Sequence, residues 1–68
     1  MSNYKPTEHD VLTAMETYGG NFAAALARAW RRADEYNSIR LWRTFPELWE
    51  KYHEMAIQLE AEKKEEFV

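Results

Sequence analysis

Apolar side chains along this chain recur at three- and four-residue steps, the spacing of one helix face, and they divide it into four stretches. Val11, Leu12, Met15 and Tyr18 predict a first helix starting at Thr7. Pro6 precedes it, and Thr7 with Asp10 three residues later resembles a capping box. Gly19 is expected to stop the helix by adopting the left-handed conformation. A helix of about twelve residues is marginal alone and has to pack.

Asn21 is the expected N-cap of the second helix. At about 100° per residue, Phe22, Leu26, Ala29, Trp30 and Ala33 form one stripe, with Arg28, Arg31 and Arg32 on the far side. Ala25, Ala29 and Ala33 would let another helix come close. Asp34 and Tyr36-Asn37-Ser38 end or bend this helix. Residues 38–44, SIRLWRT, read two ways. As a helix, Tyr36, Ile39, Trp42 and Phe45 line one edge and Leu41 lies opposite, exposed. As a strand, Ile39 and Leu41 alternate with Arg40 and Trp42. No second strand is available to pair with it, and a lone strand is unstable, so a short helix is expected.

The last stretch has the clearest pattern. Thr44 and Glu47 form a capping-box sequence, and Pro46 stands in the first turn, where its missing N–H is not needed. Phe45, Leu48, Trp49, Tyr52, Met55, Ala56 and Leu59 form a broad stripe opposite Glu47, Glu50 and Glu54. From Glu60 the charged tail EAEKKEEFV is expected to fray. The predicted architecture is one all-α domain over residues 1–68, a compact bundle of three to four short helices. Its core is expected to be Phe22, Leu26, Trp30, Phe45, Leu48, Trp49 and Tyr52, with Val11, Leu12 and Met15 packed on it.

Composition agrees with helices: two glycines and two prolines in 68 residues, among many Ala, Leu, Glu, Lys and Arg. So short a chain buries only about 60% of its unfolded surface. No cysteine is present to staple it. Large side chains must therefore fill the core, and aromatics at 15% supply them, or a homodimer completes it. MSNYKPTEHD lacks the pattern of a signal peptide, and no run of apolar residues is long enough to span a bilayer. A soluble, cytoplasmic protein without a membrane partner is expected.

Charge changes the picture more. The net charge is −3, but every arginine lies in residues 28–43, where five arginines against Asp34 and Glu35 leave +3. Residues 44–68 carry three lysines and seven glutamates, or −4, and residues 1–27 carry −2.

Motifs for catalysis are missing. His53-Glu54 opens like H-E-x-x-H, but position 57 is Ile57. Two histidines 44 positions apart make no metal site by themselves. Gly19-Gly20 is all the glycine there is, so no phosphate loop can form, and Ser2 and Ser38 lack a nucleophile-elbow context. Glu47, Glu50 and Glu54 occupy a polar helix face, where solvated carboxylates are the ordinary reading. No enzyme activity, cofactor or metal is expected.

Three readings of the arginines remain. They could bind phosphates through their planar forks, with Trp42 or Tyr36 stacking on bases. A local likeness to Fis-type DNA-binding helices covers about residues 12–26, but Trp30-Arg31-Arg32 stands where that family's glycine–aliphatic–serine turn belongs, so no DNA-contacting role carries over. The acidic total also opposes nonspecific polyanion binding. They could pair with the acidic last helix, in the chain or across a dimer. Or they could join Trp, Tyr and an exposed Leu41 in protein recognition, where those residue types are enriched. An acidic helix face could also enter a basic groove, with carboxylates standing in for phosphates.

YGGNFAAALARAWRRAD followed by RLWRTFPELWEKYHEM resembles a group of short proteins encoded by phages and prophages. The shared pattern, over about residues 11–56, is a YGG break, an Ala-rich helix, a polar turn and an FPE–WEKY helix. The resemblance brings no catalytic residues. It implies a protein that binds and disables a host protein or ribonucleoprotein complex, CRISPR–Cas effectors being one prominent target class. The candidate contacts are Arg28, Arg31, Arg32, Arg40, Leu41 and Arg43 on one face and Glu47, Glu50 and Glu54 on the other. The alternative is a small nucleic-acid-binding regulator using the same arginines.

Overall fold

Thr7 starts the first helix as its neighbours require. In the computed structural model, which describes residues 4–65, its hydroxyl accepts from the Asp10 N–H at 3.2 Å while the Asp10 carboxylate accepts from the Thr7 N–H at 3.1 Å. That reciprocal box opens α1, Glu8–Tyr18. It is followed by α2 (Gly20–Arg32), α3 (Glu35–Thr44) and α4 (Pro46–Glu65), and the described residues contain no strand. The fold is an all-α bundle, and residues 38–44 belong to a helix.

The α1–α2 turn works differently from the expectation. Gly19 is right-handed (φ −87°), and its N–H donates to the Met15 carbonyl at 3.0 Å. The left-handed residue is Gly20, φ +75°. Gly19 is needed for space: a Cβ there would overlap the Met15 carbonyl oxygen and lie 2.5 Å from the Ala23 Cβ. This turn makes Gly20 the first residue of α2, so Asn21 lies inside the helix, which starts from Gly19 without a side-chain cap.

Because α2 leaves the turn so close to α1, methyl groups face the crossing. Ala23, Ala24, Ala27 and Trp30 are buried, whereas Phe22 is 64% exposed and Ala25 and Ala29 are exposed. Trp30 is buried as expected, but the core face is rotated by about 100° from the predicted stripe, with Ala23, Ala24 and Ala27 buried where Phe22 and Ala29 were expected to be. Only alanine fits between backbones this close, so Phe22 is turned outward.

Val11, Leu12, Met15 and Ala27 are sealed at the centre of the core, with Ala14, Trp30 and Tyr52 around them. Leu26, Leu41, Leu48, Trp49 and Met55 pack on its rim. α1 lies between α2 and α4. The latter two meet through side chains: Trp30 lies against Trp49, ring centroids 4.9 Å apart.

α3 touches α2 and α4 only lightly and has no buried residue. Asp34, expected to end or bend α2, instead caps α3 by accepting from the Asn37 N–H at 2.8 Å. The predicted faces of α3 are reversed. Leu41 packs inward on the core, while Tyr36, Ile39 and Trp42 are exposed at 68%, 44% and 52%. Thr44 also departs from expectation: it ends α3, with its hydroxyl donating to the Arg40 carbonyl at 2.7 Å, and Phe45 supplies the first carbonyl of α4, to the Trp49 N–H at 3.1 Å. α4 continues through Glu65, beyond the Glu60 from which a tail was expected, and residues 66–68 of that tail lie outside the described residues.

Candidate functional site

The last two turns of α2 carry Arg28, Arg31 and Arg32, and they have different fates. Arg31 crosses to α1. Its guanidinium donates to Glu16 Oε1 from Nε (3.1 Å) and Nη2 (2.9 Å), to Thr13 Oγ1 (2.9 Å), and lies 2.9 Å from His9 Nδ1. The hydrogen bond from Arg31 is the main reason the Glu16 carboxyl is held below the usual carboxylate range, and Arg28 adds a weaker attraction. Arg31 was expected among the partner contacts, pointing away from the core. The one-residue shift of α2 swings it toward α1, where it latches the helix pair. The intrachain arginine pairing weighed from the sequence therefore exists, but toward Glu16 and not toward the acidic last helix.

Arg32 is exposed, as is Arg28. Arg40 and Arg43 are exposed on α3. Tyr36, Ile39, Arg40 and Arg43 step by three and four, so they share one outward arc of that helix. Trp42 flanks it, and the Arg40 guanidinium lies over the Tyr36 ring, 5.4 Å from its centroid. A short helix therefore presents two arginines, a tyrosine, an isoleucine and a tryptophan together. Leu41, expected as an exposed anchor, is on the opposite side. The pattern carried a signal that was missed: apolar side chains sharing an arc with arginines belong to a surface.

Two concavities meet at Phe45. One, of about 490 Å³, runs between α2 and α3 and is lined by Ala29, Ala33, Arg40, Leu41 and Phe45. The other, of about 590 Å³, is lined by Phe22, Arg43, Phe45, Pro46, Leu48 and Lys51, with Glu47 at its edge. Phe22 and Phe45 meet edge to face, centroids 6.1 Å apart. Glu47, Glu50 and Glu54 share a shallow polar depression with Lys51 and His53. Glu47 and Lys51 belong to both depressions, so the basic and acidic faces adjoin there.

A third concavity, about 560 Å³, separates α1 from the far part of α4 and includes Tyr4, His9, Asp10, Tyr18, Leu59 and Glu60. The Tyr4 hydroxyl donates to Asp10 Oδ2 at 2.8 Å. Burial, then that carboxylate, pushes the Tyr4 phenol up to about 12. Asp10 is held low, first by the Thr7 backbone N–H and next by Tyr4. The Asp10 carboxylate is thus committed to capping α1. Among the described residues, no three His, Cys, Asp or Glu side chains converge as metal ligands, and no helix is long and apolar enough to cross a membrane.

No family model matches this chain, and no curated protein or solved structure shows a significant match to it.

Proposed function

We propose that this chain is a non-catalytic binding protein that docks on a protein or ribonucleoprotein complex of a bacterial host and inhibits it, CRISPR–Cas effectors being one target class. One observation carries the docking part of this reading. α3 buries no residue of its own yet exposes Tyr36, Ile39 and Trp42 beside Arg40 and Arg43. An amphipathic helix normally turns its apolar side into the core. Here the larger apolar side faces outward, in the tyrosine, tryptophan and arginine composition of binding hot spots.

Affinity capture from bacterial lysate tests it. Wild-type protein should retain a host protein in stoichiometric amount, and Tyr36→Ala with Trp42→Ala should lose it. Failure of the wild type to retain any such protein overturns the reading. A second reading, a nucleic-acid-binding regulator, is favoured by the Arg40–Tyr36 stack beside exposed Trp42. Salt-sensitive binding of duplex or single-stranded DNA at micromolar concentration or below, lost on Arg40→Ala and Arg43→Ala, would put that reading first.

A further inference from the structure

The side of α2 that the sequence marks as apolar is not idle. Phe22, Ala29 and Ala33 form the α2 wall of the two concavities that join at Phe45. Leu41 and Phe45 belong to the opposite wall, and Leu48 and Pro46 close one end. Phe22 and Phe45 meet edge to face, so the two walls touch at that end. Three cations edge this groove, Arg40, Arg43 and Lys51, against a single carboxylate, Glu47. Each of the two concavities falls in the size range of small ligand pockets, roughly 300–1,000 Å³.

We propose that this groove holds an acidic amphipathic segment of the partner protein, with apolar side chains seated against Phe22, Phe45 and Leu41 and carboxylates set on Arg40, Arg43 and Lys51. The inference rests on the binding reading above and names the chemistry the partner brings. The occupant needs both features. Apolar side chains alone would leave three cations facing a neutral surface. Nucleic acid phosphates would satisfy the cations and leave the Phe22 and Leu41 side uncovered, with Glu47 opposing them. An amphipathic segment with glutamate or aspartate beside its apolar positions matches the floor and the rim together, as helix-in-groove recognition does elsewhere.

The test uses short fluorescent peptides as probes and the full chain as receptor. One peptide is amphipathic, with leucine and phenylalanine at helical spacing flanked by glutamate. A second keeps the apolar positions and replaces glutamate with lysine, a third keeps glutamate and replaces the apolar positions with alanine, and a single-stranded DNA completes the set. The first should bind, with amide shifts concentrated at Phe22, Arg43–Phe45 and Leu48–Lys51, and the others should bind at least about tenfold more weakly. Arg43→Glu with Lys51→Glu should weaken the first by about tenfold or more and improve the lysine peptide. Phe22→Ala should weaken it without loss of helicity, since Phe22 is largely exposed. Equal binding of the lysine peptide, tighter binding of the DNA, or shifts confined to α1 would overturn the proposal. So would light scattering showing a dimer that the Arg43→Glu, Lys51→Glu variant abolishes, because the occupant would then be a second copy. Capture of the host protein by that variant, with loss only on Tyr36→Ala and Trp42→Ala, refutes the groove and leaves α3 docking intact.

Discussion

Gly19 and Gly20 do different work, and substitution separates them. At Gly19 the obstacle is the carbonyl of Met15 and the methyl of Ala23, neither of which is a flexible chain end. Gly19→Ala is expected to cost about 3 kcal/mol, the upper part of the overpacking range. At Gly20 nothing lies within reach of a new methyl, and only the positive φ opposes it. Gly20→Ala should cost about 1 kcal/mol. Urea unfolding of both variants checks the order. The Arg31 latch makes a pH prediction at the same scale. Glu16 and Asp10 both titrate low in the folded chain. Their contribution is therefore present above the unfolded carboxylate value of about 4 and is lost as pH falls through the folded values. The urea midpoint should hold near neutrality and fall below about pH 4, and Glu16→Gln should make that fall shallower. Both groups are near the surface, so the slope is modest.

At the scale of elements, α3 stands apart. Helices with few buried contacts open first. Hydrogen exchange should be fastest, among the helices, in α3, and slowest in α1, which lies between α2 and α4. Ile39→Ala and Trp42→Ala should change stability by no more than about 0.5 kcal/mol, the surface range, apart from small propensity effects. Trp30→Ala, which empties the space against Trp49, should cost about 3–5 kcal/mol. If Trp42→Ala proves as costly as Trp30→Ala, α3 is a core helix and the docking surface is lost with it. The all-helical character, the Thr7 box and the α4 stripe were legible from periodicity and capping residues, because those act within a few positions. Which side of α2 and α3 faces inward was not. Periodicity weights large side chains, and it therefore placed Phe22 in the core and Leu41 on the surface. The α1–α2 crossing admits only small ones, and short α3 needs just Leu41 to hold it.

For the whole molecule, charge and shape act together. α4 is 20 residues long, about 30 Å at 1.5 Å per residue, and the molecule extends 41 × 24 × 19 Å. The positive block on α2 and α3 lies at one end of α4, whose own surface is acidic at Glu47, Glu50 and Glu54. An uneven charge distribution of this kind steers encounter, so association of an acidic partner with the arginine face should slow as salt rises, while dissociation changes less. Stopped-flow measurement at two ionic strengths checks this. A bundle of this size is also marginally stable. A groove ligand at a hundredfold excess over its Kd adds about 2.7 kcal/mol, enough to raise the thermal midpoint well above that of the free protein.

Local chemistry settled what local chemistry governs here: helices rather than strands, the start of α1 at Thr7, and the clustering of arginines between two acidic segments. Those follow from side-chain shape, backbone propensity and nearest-neighbour hydrogen bonds. The packing decided the rest. The close crossing after Gly19 set the face of α2, sent Arg31 to Glu16 instead of outward, and left Phe22 beside Phe45. From α3 it is Leu41 that packs on the core, while Tyr36, Ile39 and Trp42 stand on the surface. A one-residue rotation of a helix leaves its periodicity unchanged, and only contact with a neighbouring helix distinguishes the two registers.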